Sequence, residues 1–597
     1  MPPDEPEGRR PPREGMPALG DAVDRPWTRR QRLLWRGATA WRWLWARLPE
    51  GAAAGRIRLA SMIRRLLGAP PAVPRGNPLR PGHMEFWIAA HATPGPGDLA
   101  AIQAQIAAFP ARPRFVLRLD ARGAAPAAVA STCRSSPRSS TRPGSCRCWA
   151  PPGGLPGGEA RIVPVAGPDA AAWALPAADA ATWVMPLAAG DTLFDTALYR
   201  LAAAAVAQPE LAILYGDECR PDGLHPGAHP WFKPDFDLDR LLGADLFGHA
   251  AAFRPGLLPA TAPEAEAEGW FAAGLRAALA AGAARIGHVP ALLVARPAAA
   301  PPPGPAAAAA IVAALAGQGA AVAVEPLPPA ATGWRRVVWP LPARPPLVSV
   351  VVPTRDRARL VATCAEGVLA RTDYPAVEFI VVDNGSTEPA TAELFARLGT
   401  DPRVRILPAP GPFNYAALNN QAAAAARGEV LLLLNNDIEV MEPGWLRELV
   451  SQALRPGVGA VGAKLLYADA TLQHGGVVTG VGGVADHYRL GVPREDTGYF
   501  GSLATVREVA AATGACLALP RQAFEAVGGL DADNLAVAFN DVDLCLRLRA
   551  AGYRILFTPS PSSTIWNPPR AGRMSAPRRP SASPASWPTC GGAGARC

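Results

Sequence analysis

Three short apolar runs, each ending in a polar or acidic cluster, restrict what residues 346–559 can fold into. Leu347-Val348-Ser349-Val350-Val351-Val352 is largely β-branched and is ended by Pro353. Glu378-Phe379-Ile380-Val381-Val382 runs into Asp383-Asn384-Gly385-Ser386, and Val430 to Leu434 runs straight into Asn435-Asn436-Asp437. Short apolar runs bounded by turn formers read as strands buried on both faces, the pattern of a parallel sheet. Helix-length segments from Ala358 to Ala370 and from Ala416 to Ala426 lie between them. The result is a β-α-β arrangement with polar groups at the C-terminal ends of the strands, where open parallel sheets bind ligands. The third run sets one carboxylate, Asp437, at the rim of an apolar sheet, which is unfavourable unless it meets a cation or hydrogen-bond donors.

Seven motifs follow one another here: PTRDR (353–357), VVDNGS (381–386), FNYAALNNQ (413–421), LLLLNND (431–437), TGACLA (513–518), GGLD (528–531) and FNDVDLCLR (539–547). In this order they resemble the inverting family-2 glycosyltransferases of GT-A fold. The resemblance implies a nucleotide-sugar-binding pocket lined by Pro353, Thr354 and Arg355. Asp383 would hold the base or ribose, with Asn384 and Ser386 beside it, and Asn414 and Asn419 would contact the nucleotide side. Taken alone, Asp383 to Ser386 reads as a tight turn. Asn435, Asn436 and Asp437 stand in the place of the DXD element, whose last carboxylate holds a divalent metal, Mg²⁺ or Mn²⁺, on the diphosphate. A hard cation with oxygen ligands neutralises the departing nucleoside diphosphate. Only one of these three residues is acidic, so phosphate and water ligands gain importance, and Glu439 is a candidate helper. Asp541 occupies the position that deprotonates the acceptor hydroxyl, a role that contributes roughly 10²–10⁴-fold. Asp543 and Arg547 are expected to pair one helical turn apart. His474 and His487, in Gly-rich loops, receive no role.

An earlier stretch carries fragments of the same pattern. Arg114 to Leu119 opens it, Trp183 to Leu187 leads to Ala188-Ala189-Gly190-Asp191, and Tyr215-Gly216-Asp217-Glu218, Lys233-Pro234-Asp235 and Phe253-Arg254 follow. Only Asp191 survives of the metal motif. The expected fold class is therefore α/β, with two GT-A (Rossmann-like, nucleotide-diphospho-sugar transferase) domains. The first, at 81–325, is degenerate and serves packing or acceptor positioning; the second, at 347–559, is catalytic. Residues 326–346 are read as a Pro-rich linker.

A chain of 597 residues exceeds one ordinary core, and 49% hydrophobic with 18% charged residues is a globular balance. The net charge of +9 is local, because residues 1–80 hold 16 Arg against seven acids. There Trp27, Trp35, Trp41, Trp43 and Trp45 lie among Arg29, Arg30, Arg32, Arg36, Arg42 and Arg47. Tryptophan beside arginine suits a bilayer interface, and a solvated helix packing on the next domain is the plainer alternative. No run approaches the roughly 20 apolar residues of a spanning helix, and the Pro/Glu-rich start lacks a secretory signal. The expected location is the cytoplasm, with peripheral contact at the inner face of the cell membrane through residues 1–80.

Two stretches break the pattern. Five of the nine cysteines fall in them: Cys133, Cys146 and Cys148, then Cys590 and Cys597, without zinc-ligand spacing. Both are rich in Ser, Pro and Arg and lack apolar periodicity. Back-translation with GC-rich codons and a one-base shift can yield patterned apolar residues in both, so frameshifts are expected at 133–150, with recovery, and across 560–597. The resemblance places a histidine after the last strand, where this chain has Ser560 to Trp566; the shifted frame restores Tyr-His. The leading reading is transfer of a sugar from a nucleotide-diphosphate donor to a glycan or lipid-linked acceptor with inversion, in cell-surface polysaccharide biosynthesis such as O-antigen, with no nucleic-acid partner. The competing reading is a catalytically inactive glycan-binding or scaffolding protein, or the inactive product of a frameshifted gene.

Overall fold

The computed structural model describes residues 93–567, apart from 121–124, 133–143, 150–161, 166–180, 221–228, 260–268, 297–304, 561–564 and a few isolated positions. The Trp/Arg-rich segment, most of the first aberrant stretch and the tail from 568 lie outside the described residues. The described residues all belong to one compact unit, 77–597.

Nine strands form the first sheet: β1 (Arg114–Asp120), β2 (Gly144–Trp149), β3 (Ile162–Val165), β4 (Thr182–Ala188), β5 (Thr192–Leu193), β6 (Ile213–Arg220), β7 (His229–Trp231), β8 (Ala251–Phe253) and β9 (Ile286–Ala295). Their order is β3-β2-β1-β4-β8-β6-β9-β5, with β7 on β6. β1 runs parallel to both β2 and β4. Side chains alternate across the sheet: Phe115, Leu117 and Leu119 enter one core and Val116 the other. Helices α1 (Pro96–Ala107), α2 (Ala197–Ala207), α3 (Leu238–Ala244), α4 (Gly269–Ala281) and α5 (Pro305–Ala316) accompany this half. The Pro-rich segment that follows contains a strand, because β10 (Ala323–Pro326) pairs antiparallel with β11 (Arg335–Val338).

The second sheet contains β12 (Val348–Thr354), β13 (Val377–Asp383), β14 (Val404–Pro408) and β15 (Val430–Leu434), all mutually parallel, in the order β14-β13-β12-β15. Val350, Val381 and Leu432 face one core, and Val351, Ile380 and Leu433 face the other. Burial on both sides is why these strands read as unbroken apolar runs. Strand β12 continues one residue beyond Pro353, to Thr354. Proline is tolerated because β15 pairs only with Val348–Val351, so the missing Pro353 N–H lies past that ladder. Beyond β15 the sheet becomes mixed and bears β23 (Cys516–Pro520), β17 (Val458–Ala463), β24 (Arg554–Thr558) and β22 (Arg507–Glu508). A smaller sheet joins β16 (Glu439–Val440), β25 (Ile565–Asn567), β18 (Leu465–Tyr467) and β19 (Leu472–His474), and β20 (Val477–Thr479) with β21 (Ala485–His487) forms a hairpin. The helices are α6 (Ala358–Ala370), α7 (Pro389–Leu398), α8 (Tyr415–Ala425), α9 (Trp445–Ala453), α10 (Arg521–Ala526) and α11 (Asn540–Ala550). The spacing predicts α6 at its observed bounds and α8 to within one residue.

The halves meet through charge as well as apolar area. Asp239 of α3, buried, accepts from Arg455 at 2.6 Å and Arg554 at 3.0 Å. Arg240 donates to Thr505 Oγ1 at 2.6 Å and to the Phe500 carbonyl at 2.7 Å.

Candidate active site

The parallel strands reverse their order between β12 and β15, and at such a switch point the strand ends leave a crevice. Thr354, buried at the end of β12, and Asn435-Asn436-Asp437, following β15, lie on its two sides. The Asn436 side-chain amide donates to Thr354 Oγ1 at 2.8 Å, and Asp437, next along, is 8% exposed. Thr354 Oγ1 in turn donates to the Asp356 carbonyl at 3.1 Å. Asp356 and Arg357 have φ of 58° and 65°, the left-handed region that side chains other than glycine rarely take. That turn is held by the Asp356 carboxylate, which accepts from the amides of Thr387 (2.7 Å) and Glu388 (2.8 Å). Those amides hold its carboxyl below the usual range.

The loop after β13 is tied to the same turn. Asp383 Oδ1 accepts from the Ser386 amide at 2.8 Å, and Ser386 Oγ accepts from the Asp356 amide at 2.7 Å. Asn384 donates to the carbonyls of Ala409 and Gly411, and among the described residues its buried Oδ1 has no donor. Pro353 is buried in β12, while Arg355 is exposed on the loop. Thus Thr354, Asp383, Asn384, Ser386, Asn435, Asn436 and Asp437 gather at one sheet edge. The two helix asparagines have internal work: Asn414 caps α8 by accepting from the Ala417 amide (2.9 Å) and donates to the Ala532 carbonyl. Asn419, fully buried, donates to the Tyr415 carbonyl at 2.7 Å. Glu439 lies on β16, 4.0 Å from Arg371.

Asp541 opens α11, directly after a turn in which Phe539 takes φ 60°. Its Oδ2 accepts from the Gly514 amide at 2.8 Å and its Oδ1 from the Val542 amide at 2.9 Å, which aims the carboxylate without a cation. Asp543 pairs with Arg547 at 2.8 Å, as the i,i+4 spacing predicts. Sequence reasoning left Tyr415 without a role although it sits inside the FNYAALNNQ motif. Its hydroxyl donates to the Gly514 carbonyl at 2.9 Å. Burial, then the charge of Asp541 and more weakly that of Asp437, push its phenol far above the ordinary range. Tyr415 therefore stands within electrostatic reach of both carboxylates. The two unassigned histidines also meet here: His474 Nδ1 and His487 Nδ1 lie 2.9 Å apart, and the Thr513 amide donates to His474 Nε2 at 3.4 Å.

Residues 349–527 match the model of the family described as Glycosyl transferase family 2. This part of the chain is a family-2 glycosyltransferase domain. The chain is also similar to two curated proteins. One is the uncharacterized protein y4gI of Sinorhizobium fredii, 41% identical over 390 residues, which are 62% of this chain and 42% of that protein. The other is the O-antigen biosynthesis protein RfbC of Myxococcus xanthus, 40% identical over 387 residues, 62% of this chain and 30% of that protein. The chain thus spans less than half the length of either relative. The mannosyltransferase PcManGT from Pyrobaculum calidifontis, solved with GDP-Man and Mn²⁺, aligns at 23% identity over 39% of this chain and 60% of that one, with a TM-score of 0.30.

Among the described residues no group of three or more His, Cys, Asp or Glu side chains could cage a metal. The donors at the family-2 crevice nonetheless fit a hard cation. One buried carboxylate, Asp437, beside amide and hydroxyl oxygens is a set that suffices when diphosphate oxygens and water complete the shell. In the first half the residues that follow β4 form an internal polar network. Asp191, fully buried at the end of β4, accepts from the Ala188 amide at 2.7 Å and meets His249 Nδ1 at 2.6 Å. His249 Nε2 lies 3.2 Å from Arg296, and Arg296 also reaches Glu218 at 3.4 Å.

Proposed function

We propose that this chain transfers a sugar from a nucleotide-diphosphate donor to a hydroxyl of a glycan or lipid-linked acceptor, with inversion. The observation that carries this reading is the placement of Asn436, next to Asp437, against Thr354 at the switch point, with Asp541 held by the Gly514 amide and Tyr415 bonded to the Gly514 carbonyl. The nucleotide would lie along Thr354, Asp383 and Asn384, whose unused Oδ1 suits a base or ribose donor. The acceptor hydroxyl attacks the anomeric carbon opposite the diphosphate, its proton passes to Asp541, and the nucleoside diphosphate leaves with the bonding electrons. Asp437 would hold Mg²⁺ or Mn²⁺, which when bound supplies charge to the leaving diphosphate.

The similarity to an O-antigen biosynthesis protein supports a place in cell-surface polysaccharide synthesis. The first half, with Asp191 enclosed by His249 and Arg296, suits a domain that no longer carries a metal. Among the described residues no helix is long and apolar enough to cross a membrane. Peripheral contact at the inner membrane face through residues 1–80, and a frame change at 133–150 and from 560, belong to the same reading; resequencing the locus tests the latter. The deciding experiment measures release of nucleoside diphosphate from a panel of UDP-, GDP- and dTDP-sugars with Mn²⁺. Turnover that Asp541→Ala abolishes while donor binding persists supports the assignment. A chain that turns over none of them is a glycan-binding or scaffolding protein or the inactive product of a frameshifted gene, and near-normal turnover in the variant removes Asp541 from the mechanism.

A further inference from the structure

The two histidines have a defined proton arrangement, because hydrogen-bond roles fix the tautomer of a neutral imidazole. The Thr513 amide is a donor, so His474 Nε2 must be the acceptor. The proton of neutral His474 then sits on Nδ1, which lies 2.9 Å from His487 Nδ1 and donates to it. His487 therefore carries its own proton on Nε2. Burial holds His474 well below the ordinary imidazole range, with His487 and Arg507 adding to it. Burial likewise lowers His487, against the opposing pull of Asp541 and Asp486, so both rings are neutral near pH 7. His474 is fully buried while His487 is partly exposed. The residue that receives the first imidazole, Thr513, directly precedes Gly514, whose amide holds Asp541.

The segment that carries His487 is anchored from the other half of the chain. Tyr488, the next residue, has its hydroxyl 3.0 Å from Ser502 Oγ and accepts from the Tyr499 amide at 3.4 Å. The Tyr499 hydroxyl donates to the Pro230 carbonyl at 2.7 Å and accepts from the Phe232 amide at 2.9 Å. Phe500, at φ 48°, stacks on Trp231 with ring centroids 5.1 Å apart and planes 7° from parallel. Just beyond it, half-buried Arg507 ties the Gly475 and Ser502 carbonyls together and lies over the Tyr488 ring. Strand β7 and Phe232 thus grip residues 499–500, which grip Tyr488, which neighbours His487.

We propose that residues 472–481 and 484–502 form an acceptor-binding arm, in which the Nε2–H of His487 donates to a hydroxyl of the acceptor glycan beside Asp541, and that the first half of the chain serves the reaction by holding this arm through Tyr499. The proposal rests on the glycosyl-transfer reading above. It assigns His487 a binding role and makes His474 and Tyr499 positioning residues. The ligand class is a hydroxyl-rich sugar, because a neutral ring donor next to a carboxylate acceptor matches a pair of vicinal hydroxyls and offers no charge to a phosphate.

The test uses the full chain and two readouts. The first is the ¹⁵N shifts of labelled histidine at pH 7, expected to show His474 protonated on Nδ1 and His487 on Nε2; a charged ring or the reverse tautomer overturns the arm. The second is steady-state transfer to p-nitrophenyl glycosides as surrogate acceptors, with the donor found active in the panel. His487→Ala and Tyr499→Phe are expected to raise the acceptor KM by about tenfold, the worth of one hydrogen bond, and to leave the donor KM within about twofold. His487→Gln, which restores an N–H near the same point, should recover much of the loss. An unchanged acceptor KM, or equal rises in both KM values, overturns the assignment. A wild-type chain that turns over no donor instead overturns the glycosyl-transfer reading, and the acceptor role with it, whatever the tautomers show.

Discussion

At the scale of single residues the site is built from groups whose charge is managed by backbone amides. Asp541 takes two amide donors and Asp356 two, so neither needs a side-chain cation. Asp437 is different, because it follows five buried aliphatic residues and belongs to a polar patch that a cation would complete. Asp437→Asn keeps the shape and removes the charge. We expect it to abolish Mn²⁺-dependent turnover and to weaken Mn²⁺ binding in the presence of nucleoside diphosphate, measured by calorimetry; unchanged Mn²⁺ affinity would take Asp437 out of the metal site. The histidine pair makes a pH prediction. Both folded-state pKa values lie below the unfolded value of about 6.5, so the pair stabilises the fold above that pH. As pH falls through it, the unfolded chain takes up protons that the folded chain refuses. The thermal midpoint should therefore fall more between pH 7 and pH 5 in the wild type than in His474→Gln.

The elements explain why these residues arrive together. Helix α8 begins where Asn414 accepts from the Ala417 amide, and the same side chain reaches the Ala532 carbonyl, so one residue sets the helix start and pins the segment leading to α11. Asn414→Ala should lower stability by about 1 kcal/mol from the cap alone, read by urea denaturation, whereas Asn414→Asp should keep most of the cap and lose the second bond. Strand β12 depends on a close backbone approach at its start. A Cβ at Gly428 would stand 2.6 Å from the Leu347 carbonyl, the Ser349 amide and the Ser349 hydroxyl. Two of those atoms are backbone and cannot rotate away. Gly428→Ala should therefore destabilise more than the Asn414 cap variant in the same assay.

Across the whole molecule, the two halves are joined by buried charge. Asp239 lies between Arg455 and Arg554, and the Asp237 carboxylate accepts from the Glu508 amide at 2.8 Å. Removing one partner of a buried pair leaves the others uncompensated, a loss of about 3–5 kcal/mol. Asp239→Ala should lower the unfolding midpoint accordingly and open the 485–505 segment to proteolysis. A variant of wild-type stability would show that apolar packing alone holds the halves together. A chain organised this way gives its first half a structural role, because its α3 carboxylates hold the second half in place.

The parallel core of the second half was legible in the one-dimensional pattern. Strands buried on both faces leave continuous apolar runs, and their polar ends mark the ligand edge whatever the rest of the chain does. Asp437 could be set at that edge for this reason, whereas Thr354, Asp383 and Asn436 were named by the resemblance of their motifs to the family-2 pattern. Pro353 misled only slightly, because whether proline ends a strand depends on where its neighbour's ladder stops. The rest depended on partners far away in the chain. Asp239 and Arg554 are 315 residues apart and Tyr499 and Pro230 are 269 apart, and neither pair has a local pattern. Tyr415 lay inside a motif, yet its bond to the Gly514 carbonyl, on the residue whose amide holds Asp541, exists only in the folded chain. The histidines looked like loop residues until β19 and β21 brought their rings within hydrogen-bond distance. Local periodicity encodes burial; contact between distant polar groups is set by the packing of whole elements, and only the folded chain displays it.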